Sequence, residues 1–133
     1  VFIVGEYGTI LHYDGRSWRT MPSGTDSWFW DVWGFSGESV FAVGSTGTIL
    51  YYDGVSWRPM KGTGAETLTA VWGTSFTNVY AASTHGTIYR FDGSLWRRMF
   101  IDESVNLWGI WGSSPSDIAA VGDWGAIVRY AGE

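Results

Sequence analysis

Three aspartates, three arginines and two histidines are the side chains best placed to do chemistry in this chain, and their spacing limits what that chemistry could be. Asp14, Asp53 and Asp92 each precede a glycine and lie 39 residues apart. Carboxylates in that arrangement could bind calcium or deliver a proton. Asp before Gly also favours a tight turn, because its side chain hydrogen-bonds its own backbone. The fourth copy of the position is Ala131, which a turn tolerates and a metal site does not, so the spacing predicts a structural role. Arg19, Arg58 and Arg97 each follow a tryptophan; at the edge of a sheet such charge discourages stray strand pairing. His12 and His85 fall at different points of the 39-residue spacing, so no histidine pair is set up for a metal. With no cysteine, thiolate nucleophiles, thiolate metal sites and disulfides are excluded. No G-x-S-x-G elbow, phosphate loop or dinucleotide fingerprint occurs. The sequence therefore predicts no catalytic residue, no metal and no cofactor: a chain that is not an enzyme by itself.

The spacing itself carries more information. V-F-I-V-G at residue 1 recurs as V-F-A-V-G at 40, V-Y-A-A-S at 79 and I-A-A-V-G at 118, each step being 39 residues without insertion or deletion. The first two units are identical at 19 of 39 positions. Gly8, Gly47, Gly86 and Gly125 recur, as do Ile10, Ile49, Ile88 and Ile127. So do Trp18, Trp57 and Trp96, and the pairs Trp33-Gly34, Trp72-Gly73 and Trp111-Gly112. The repeats run 1–39, 40–78, 79–117 and, in part, 118–133.

Each unit reads as four short strands. An apolar V-F-A-V run is followed by a glycine turn, then by T-I-L-H-Y, rich in β-branched and aromatic residues. Asp14-Gly15 is the signal of a two-residue type I′ hairpin; S-W-R-T-M forms the third strand of the unit, and a looser stretch leads to a fourth that ends in V-W-G. No segment shows helical spacing. Four short strands in about 40 residues is the period of β-propeller blades. The expected fold is all-β: propeller blades of four antiparallel strands, in one segment spanning 1–133.

The runs G-T-I-L-x-Y-D-G-x-S-W and V-W-G-x-S resemble Asp-box and related bacterial propeller repeats, among them the sialidase, sortilin and photosystem II assembly-factor propellers. The usual Asp box places Trp five residues after Asp, whereas Asp14 to Trp18, Asp53 to Trp57 and Asp92 to Trp96 are four apart. The resemblance implies a strand order, with V-W-G innermost, V-F-A-V-G second, T-I-L-H-Y third and S-W-R-T-M at the outer edge. On that register the chain holds two full blades, about 28–60 and 67–99. A first blade lacks its inner strand and a last blade lacks its outer one. The first residues fall inside a strand, which points to part of something longer. Because the terminal blades lack different strands and cannot complete each other, a ring closed by two or more chains, or the remainder of a longer propeller, is expected over a four-bladed monomer. A sialidase would need arginines converging on a carboxylate, and Arg19, Arg58 and Arg97 are a blade apart.

Bulk properties narrow the partners. A net charge of −5 with scattered basic residues does not suit nucleic acid, which needs a basic stripe. No apolar run approaches the ~20 residues of a membrane helix, so no membrane insertion is expected. No signal peptide opens the chain; an absence of cysteine leaves the compartment open, with an extracellular or cell-surface place as one expectation. The ten tryptophans could stack on sugars, but Trp18, Trp33, Trp57, Trp72, Trp96 and Trp111 recur on strands and are expected to pack between blades. The better candidates lie where the copies differ. One turn position carries Tyr7, Thr46, His85 and Trp124; the position before it carries Glu6, Ser45, Thr84 and Asp123. The loops that enter the inner strands, carrying Asp26 and Trp28, should share that face. Glu6, Tyr7, Asp26, Trp28, His85, Asp123 and Trp124 are thus the candidate ligand-binding residues of a recognition or scaffold module for a protein or ligand. A multivalent carbohydrate-binding lectin and a structural segment of a larger propeller are the alternatives.

Overall fold

The repeated apolar runs become strands in a fixed order. The computed structural model describes residues 1–132. A first sheet contains β1 (Phe2–Val4), β2 (Ile10–Tyr13) and β3 (Trp18–Thr20). A second contains β4 (Phe29–Ser36), β5 (Ser39–Gly44), β6 (Ile49–Tyr52) and β7 (Trp57–Pro59). The third contains β8 (Leu68–Ser75), β9 (Asn78–Ser83), β10 (Thr87–Phe91) and β11 (Trp96–Ile101). The fourth contains β12 (Leu107–Ser114), β13 (Asp117–Gly122) and β14 (Ile127–Ala131). Every pairing is antiparallel, and spatial order follows chain order. These are the blades of a β-propeller, two of four strands and two of three, with the Trp-Gly strands β4, β8 and β12 at one end of the second, third and fourth sheets.

The blades stack face to face in chain order, and three apolar clusters hold them. One joins the first sheet to the second through Ile10, Val40, Ala42, Leu50 and Trp57. Another joins the second to the third through Phe41, Val43, Ile49, Leu68, Val79 and Ala81. The last joins the third to the fourth through Trp72, Tyr80, Ile88, Leu107 and Ile118. Burying each of the valine, leucine, isoleucine and phenylalanine side chains among them contributes roughly 1.5–3 kcal/mol. Strands β5 and β9 are covered on both faces, so nearly every residue in them is buried; this is why V-F-A-V and V-Y-A-A are continuously apolar instead of alternating. Strand β13 has the same type of sequence but alternates between buried and accessible residues, because its sheet has a neighbour on one side only.

The tryptophan columns divide for the same reason. Trp57 and Trp72 are buried as expected. Trp18 and Trp111 are 48% and 63% exposed, which corrects the expectation that every recurring tryptophan packs between blades. Trp18 belongs to the first sheet and Trp111 to the fourth, and each lies on the face that has no blade against it.

The Asp-Gly turns also differ from expectation. They are not two-residue type I′ hairpins, because only the glycine of each pair has positive φ: Gly15, Gly54 and Gly93 at 99°, 94° and 96°. Instead the aspartate closes a longer turn. Asp53 Oδ1 accepts the N–H groups of Val55 and Ser56 at 2.9 and 3.0 Å, and Asp14 and Asp92 do the same for their own turns. These bonds, more than the nearby arginines, hold the three carboxyls below the ordinary aspartate value. A depressed folded value adds stability above the ordinary value of about 4, and that stability is lost as pH falls through the folded value. Asp53→Asn keeps an acceptor for both N–H groups and removes the titration. Its urea midpoint should therefore drop less than the wild type's between pH 6 and pH 3, and equal drops would show that this carboxylate is not linked to folding.

Candidate functional site

The candidate residues cluster at one end of the blades because two sets of loops are bonded together there. The turns between the second and third strands of a blade are Glu6–Gly8, Ser45–Gly47 and Asp123–Gly125, with Thr84–Gly86 as the third-blade equivalent. Backbone bonds tie them to the loops entering the inner strands. Ser45 N–H donates to the Trp28 carbonyl at 2.9 Å, Thr84 N–H to Thr67 at 3.0 Å and Asp123 N–H to Asn106 at 3.0 Å. Both loop sets thus form one face.

Three turn tips have unusual backbones. Tyr7, Thr46 and Trp124 have φ of 54°, 56° and 60°, each followed by a glycine that also has positive φ. Two successive left-handed residues make a type I′ turn, a role usually taken by Asn-Gly or Gly-Gly. For a residue with a Cβ this conformation costs roughly 1–2 kcal/mol. His85 is outside this set, and its turn places only Gly86 in that region.

The side chains at the tips are strongly accessible. Trp124 is 94% exposed and Tyr7 70%. Tyr7 meets Trp28 edge to face, ring centres 5.6 Å apart. Asp26 and Trp28, with Ser45 and Thr46, line a shallow depression of about 490 Å³. Glu6, Asp26 and His85 are exposed. Asp123 is organised: its Oδ1 accepts the indole N–H of Trp108 at 2.7 Å and its Oδ2 the side-chain amide of Asn106 at 2.9 Å. The Trp108 bond above all holds the Asp123 carboxyl below its ordinary value, so it is an anion at neutral pH. The candidates therefore fall into a Tyr7–Trp28 pair with Asp26, an Asp123 cluster, and the separate tips Trp124 and His85.

Sequence reasoning missed the residues at the centre of this face, Trp30 and Trp108. They belong to the inner strands of the second and fourth sheets, yet their rings lie 6.3 Å apart. They are 49% and 47% exposed. Each indole N–H is tied to the turn of its own blade, Trp30 to Ser45 Oγ at 3.3 Å and Trp108 to Asp123. A β-bulge explains the outward turn. Phe29 pairs with Gly44 and Asp31 with Val43, leaving Trp30 without a partner, and Trp108 is skipped in the same way between Leu107 and Gly109. The third copy of the position is Thr69, which is buried and donates its hydroxyl to the Leu107 carbonyl at 2.6 Å. The spacing of 39 was a usable signal, but Thr69 breaks the column.

Beneath this face Asp31 joins two blades. Its Oδ2 accepts the Val71 N–H across the interface and its Oδ1 the Val32 N–H, both at 2.9 Å. Burial pushes this carboxyl up, against the pull of the two N–H groups. Of the arginines after tryptophan, Arg58 pairs with Asp53 at 3.0 Å at the opposite end of the blade. Among the described residues no three His, Asp or Glu side chains come together as a metal site would need. What the face offers is flat apolar rings beside fixed carboxylates.

No protein-family model matches the chain, and no curated protein matches it. Solved structures resemble it in fold. YCF48 from Cyanidioschyzon merolae superposes with a TM-score of 0.74 at 18% identity, over 92% of this chain and 44% of that one. A structure of YCF48 bound to D1 peptide gives 0.74 at 16% identity, over 96% and 46%. The computationally designed Ika4 protein gives 0.80 at 18% identity, over 99% and 84%. This chain spans less than half the length of the YCF48 chains it matches.

Proposed function

We propose that this chain is a non-catalytic recognition module that holds a segment of a partner protein on its loop-bearing face. The observation that carries the reading is the Trp30–Trp108 pair, two half-exposed rings held rigid by bonds to Ser45 and Asp123. A large apolar ring kept accessible on a rigid strand, with its polar atom already satisfied, is the type of residue that dominates binding energy. Tyr7, Thr46, His85 and Trp124 are turn tips at the same end of the blades that differ from blade to blade. Left-handed strain at three of them is a cost that folding alone does not require. Glu6, Asp26 and Asp123 make the face acidic, so the segment it suits pairs Lys or Arg with apolar side chains. That a protein of similar fold, YCF48, has been solved with a peptide bound supports a peptide ligand.

The test is a fluorescence-polarisation titration with labelled peptides that combine Lys or Arg with Leu, Phe or Trp, beside acidic peptides of equal apolar content. Basic peptides should bind, and Trp30→Ala or Trp108→Ala should weaken them at least about tenfold, the size expected for a central aromatic anchor. Trp124→Asn should weaken them too while making the turn more stable, since Asn-Gly suits a type I′ turn. Val55→Ser, on an exposed turn elsewhere, should change nothing. Binding that ignores Trp30 and Trp108 would overturn the assignment. The Tyr7–Trp28 pair beside Asp26 gives the lectin alternative a distinct prediction: a response to free sugars that Trp28→Ala abolishes.

A further inference from the structure

We infer that the open faces of the first and fourth blades are complementary, and that two copies of this chain join head to tail through them into one closed ring. Each blade presents one set of positions to the blade before it and another to the blade after it. The forward set includes Ile10, Ile49 and Ile88, which are 0%, 2% and 2% exposed where a blade follows. The same position in the fourth blade is Ile127, at 73%. Val43 and Ala82 are 0% exposed and Val121, their counterpart, is 48%. Trp72 is 5% exposed and Trp111 63%.

The backward set behaves in the same way at the other end. Val40 and Val79 are 2% and 0% exposed, while Val1 is 71%. Ala42 and Ala81 are 0% exposed, while Ile3 is 47%. Trp57 is 7% exposed and Trp18 48%. Neither open face has exchanged its apolar residues for polar ones, as a solvent-facing sheet would. Ile3 is larger than the alanines at its position in the other blades. Contiguous apolar surface of this type marks an interaction site.

The interior of the molecule shows what covers such a face. In all three blade interfaces a forward set meets the backward set of the next blade. The forward face Trp111, Val121 and Ile127 therefore fits the backward face Val1, Ile3 and Trp18. Within one copy those faces do not meet: no apolar cluster among the described residues joins the first sheet to the fourth. The joint is of the head-to-tail kind, which makes a ring where the rotation closes. Two copies bring their four sheets each to about eight blades, the upper end of the range of roughly 4–8 seen in propellers, whereas three copies would exceed it. On this arrangement the tips of both copies occupy one face of the ring.

Light scattering on a sizing column, with residues 1–133 at tens of micromolar, tests it. The wild type should run at twice the mass of the chain. Ile127→Lys and Ile3→Lys both change side chains that are exposed in a single copy, so far-UV circular dichroism should be unaltered. Each variant alone should be a monomer, its dimerisation weakened at least a hundredfold, because every joint then contains one altered face. Mixing the two variants should restore a dimer, since one joint then pairs two unaltered faces. A monomeric or polydisperse wild type would overturn the inference. So would a dimer that survives either single variant, which indicates like faces meeting, or a mixture that stays monomeric.

Discussion

Phe41→Ala should cost about 3–5 kcal/mol of folding stability, the range for removing a large buried aromatic ring. Phe41 is 0% exposed and stands where the second and third blades meet. Its ring lies 5.0 Å from Tyr51 in its own blade, 5.9 Å from Phe91 and 6.2 Å from Trp96 in the next. Phe35 and Phe76 complete the cluster at 6.2 and 6.0 Å. Truncation removes the ring from both blades at once and leaves a space that rigid sheets cannot collapse to fill. Urea unfolding followed by far-UV circular dichroism should show a lower midpoint with an unchanged slope. Phe41→Leu should cost much less, because most of the volume is kept. A loss below about 1 kcal/mol for Phe41→Ala would mean that the two blades close over the gap. The fourth-blade counterpart is Ala119, so the ring is absent from that copy of the position.

Gly47→Ala should cost about 3 kcal/mol and Gly125→Ala about 1 kcal/mol, although the two glycines occupy the same place in their turns. Their φ values are 68° and 74°, so the left-handed penalty for a side chain is common to both. They differ in what surrounds them. A Cβ on Gly47 would overlap the Gly64 carbonyl oxygen of the loop entering the next blade, whereas a Cβ on Gly125 would meet nothing within 4 Å. Gly8 and Gly86 resemble Gly47, facing the carbonyl oxygens of Thr25 and Asp102. The comparison separates backbone strain from steric exclusion, and the same urea titrations measure both. Equal losses for the two variants would show that the Gly64 loop yields freely. The prediction also bears on binding, because displacing that loop shifts the start of an inner strand on the candidate face.

What the sequence revealed and what it hid follow from one distinction. A repeated position is legible when every copy solves the same local problem. Gly8, Gly47 and Gly86 must admit a neighbouring carbonyl, and Asp14, Asp53 and Asp92 must cap a turn. Recurrence therefore identified the strands and the turns between them, while their order was what the resemblance to propeller repeats implied. It did not identify the environment of a copy. Trp72 and Trp111 occupy one column and have opposite surroundings, because burial depends on how many blades stand alongside. Nor did it find Trp30 and Trp108, since a bulge takes them out of the strand's alternation and Thr69 interrupts their recurrence. The left-handed tips were hidden too: Tyr, Thr and Trp carry no signal of positive φ as Gly or Asn would.

The unequal cover of the blades has a consequence for motion. A stack whose buried apolar clusters join only consecutive sheets behaves much as a one-dimensional array, its stability a sum of unit and nearest-neighbour contributions. The second and third sheets each have two such neighbours and the outer two have one. In a single copy, opening therefore begins at the ends. Amide protons of β1 and β14 exchange with solvent through small local fluctuations, while those of β5 and β9 exchange only when the whole stack gives way. Trp30 and Trp108 divide along this gradient, one on the doubly supported second sheet and one on the fourth, so the two walls of the same aromatic site differ in how long they stay in place.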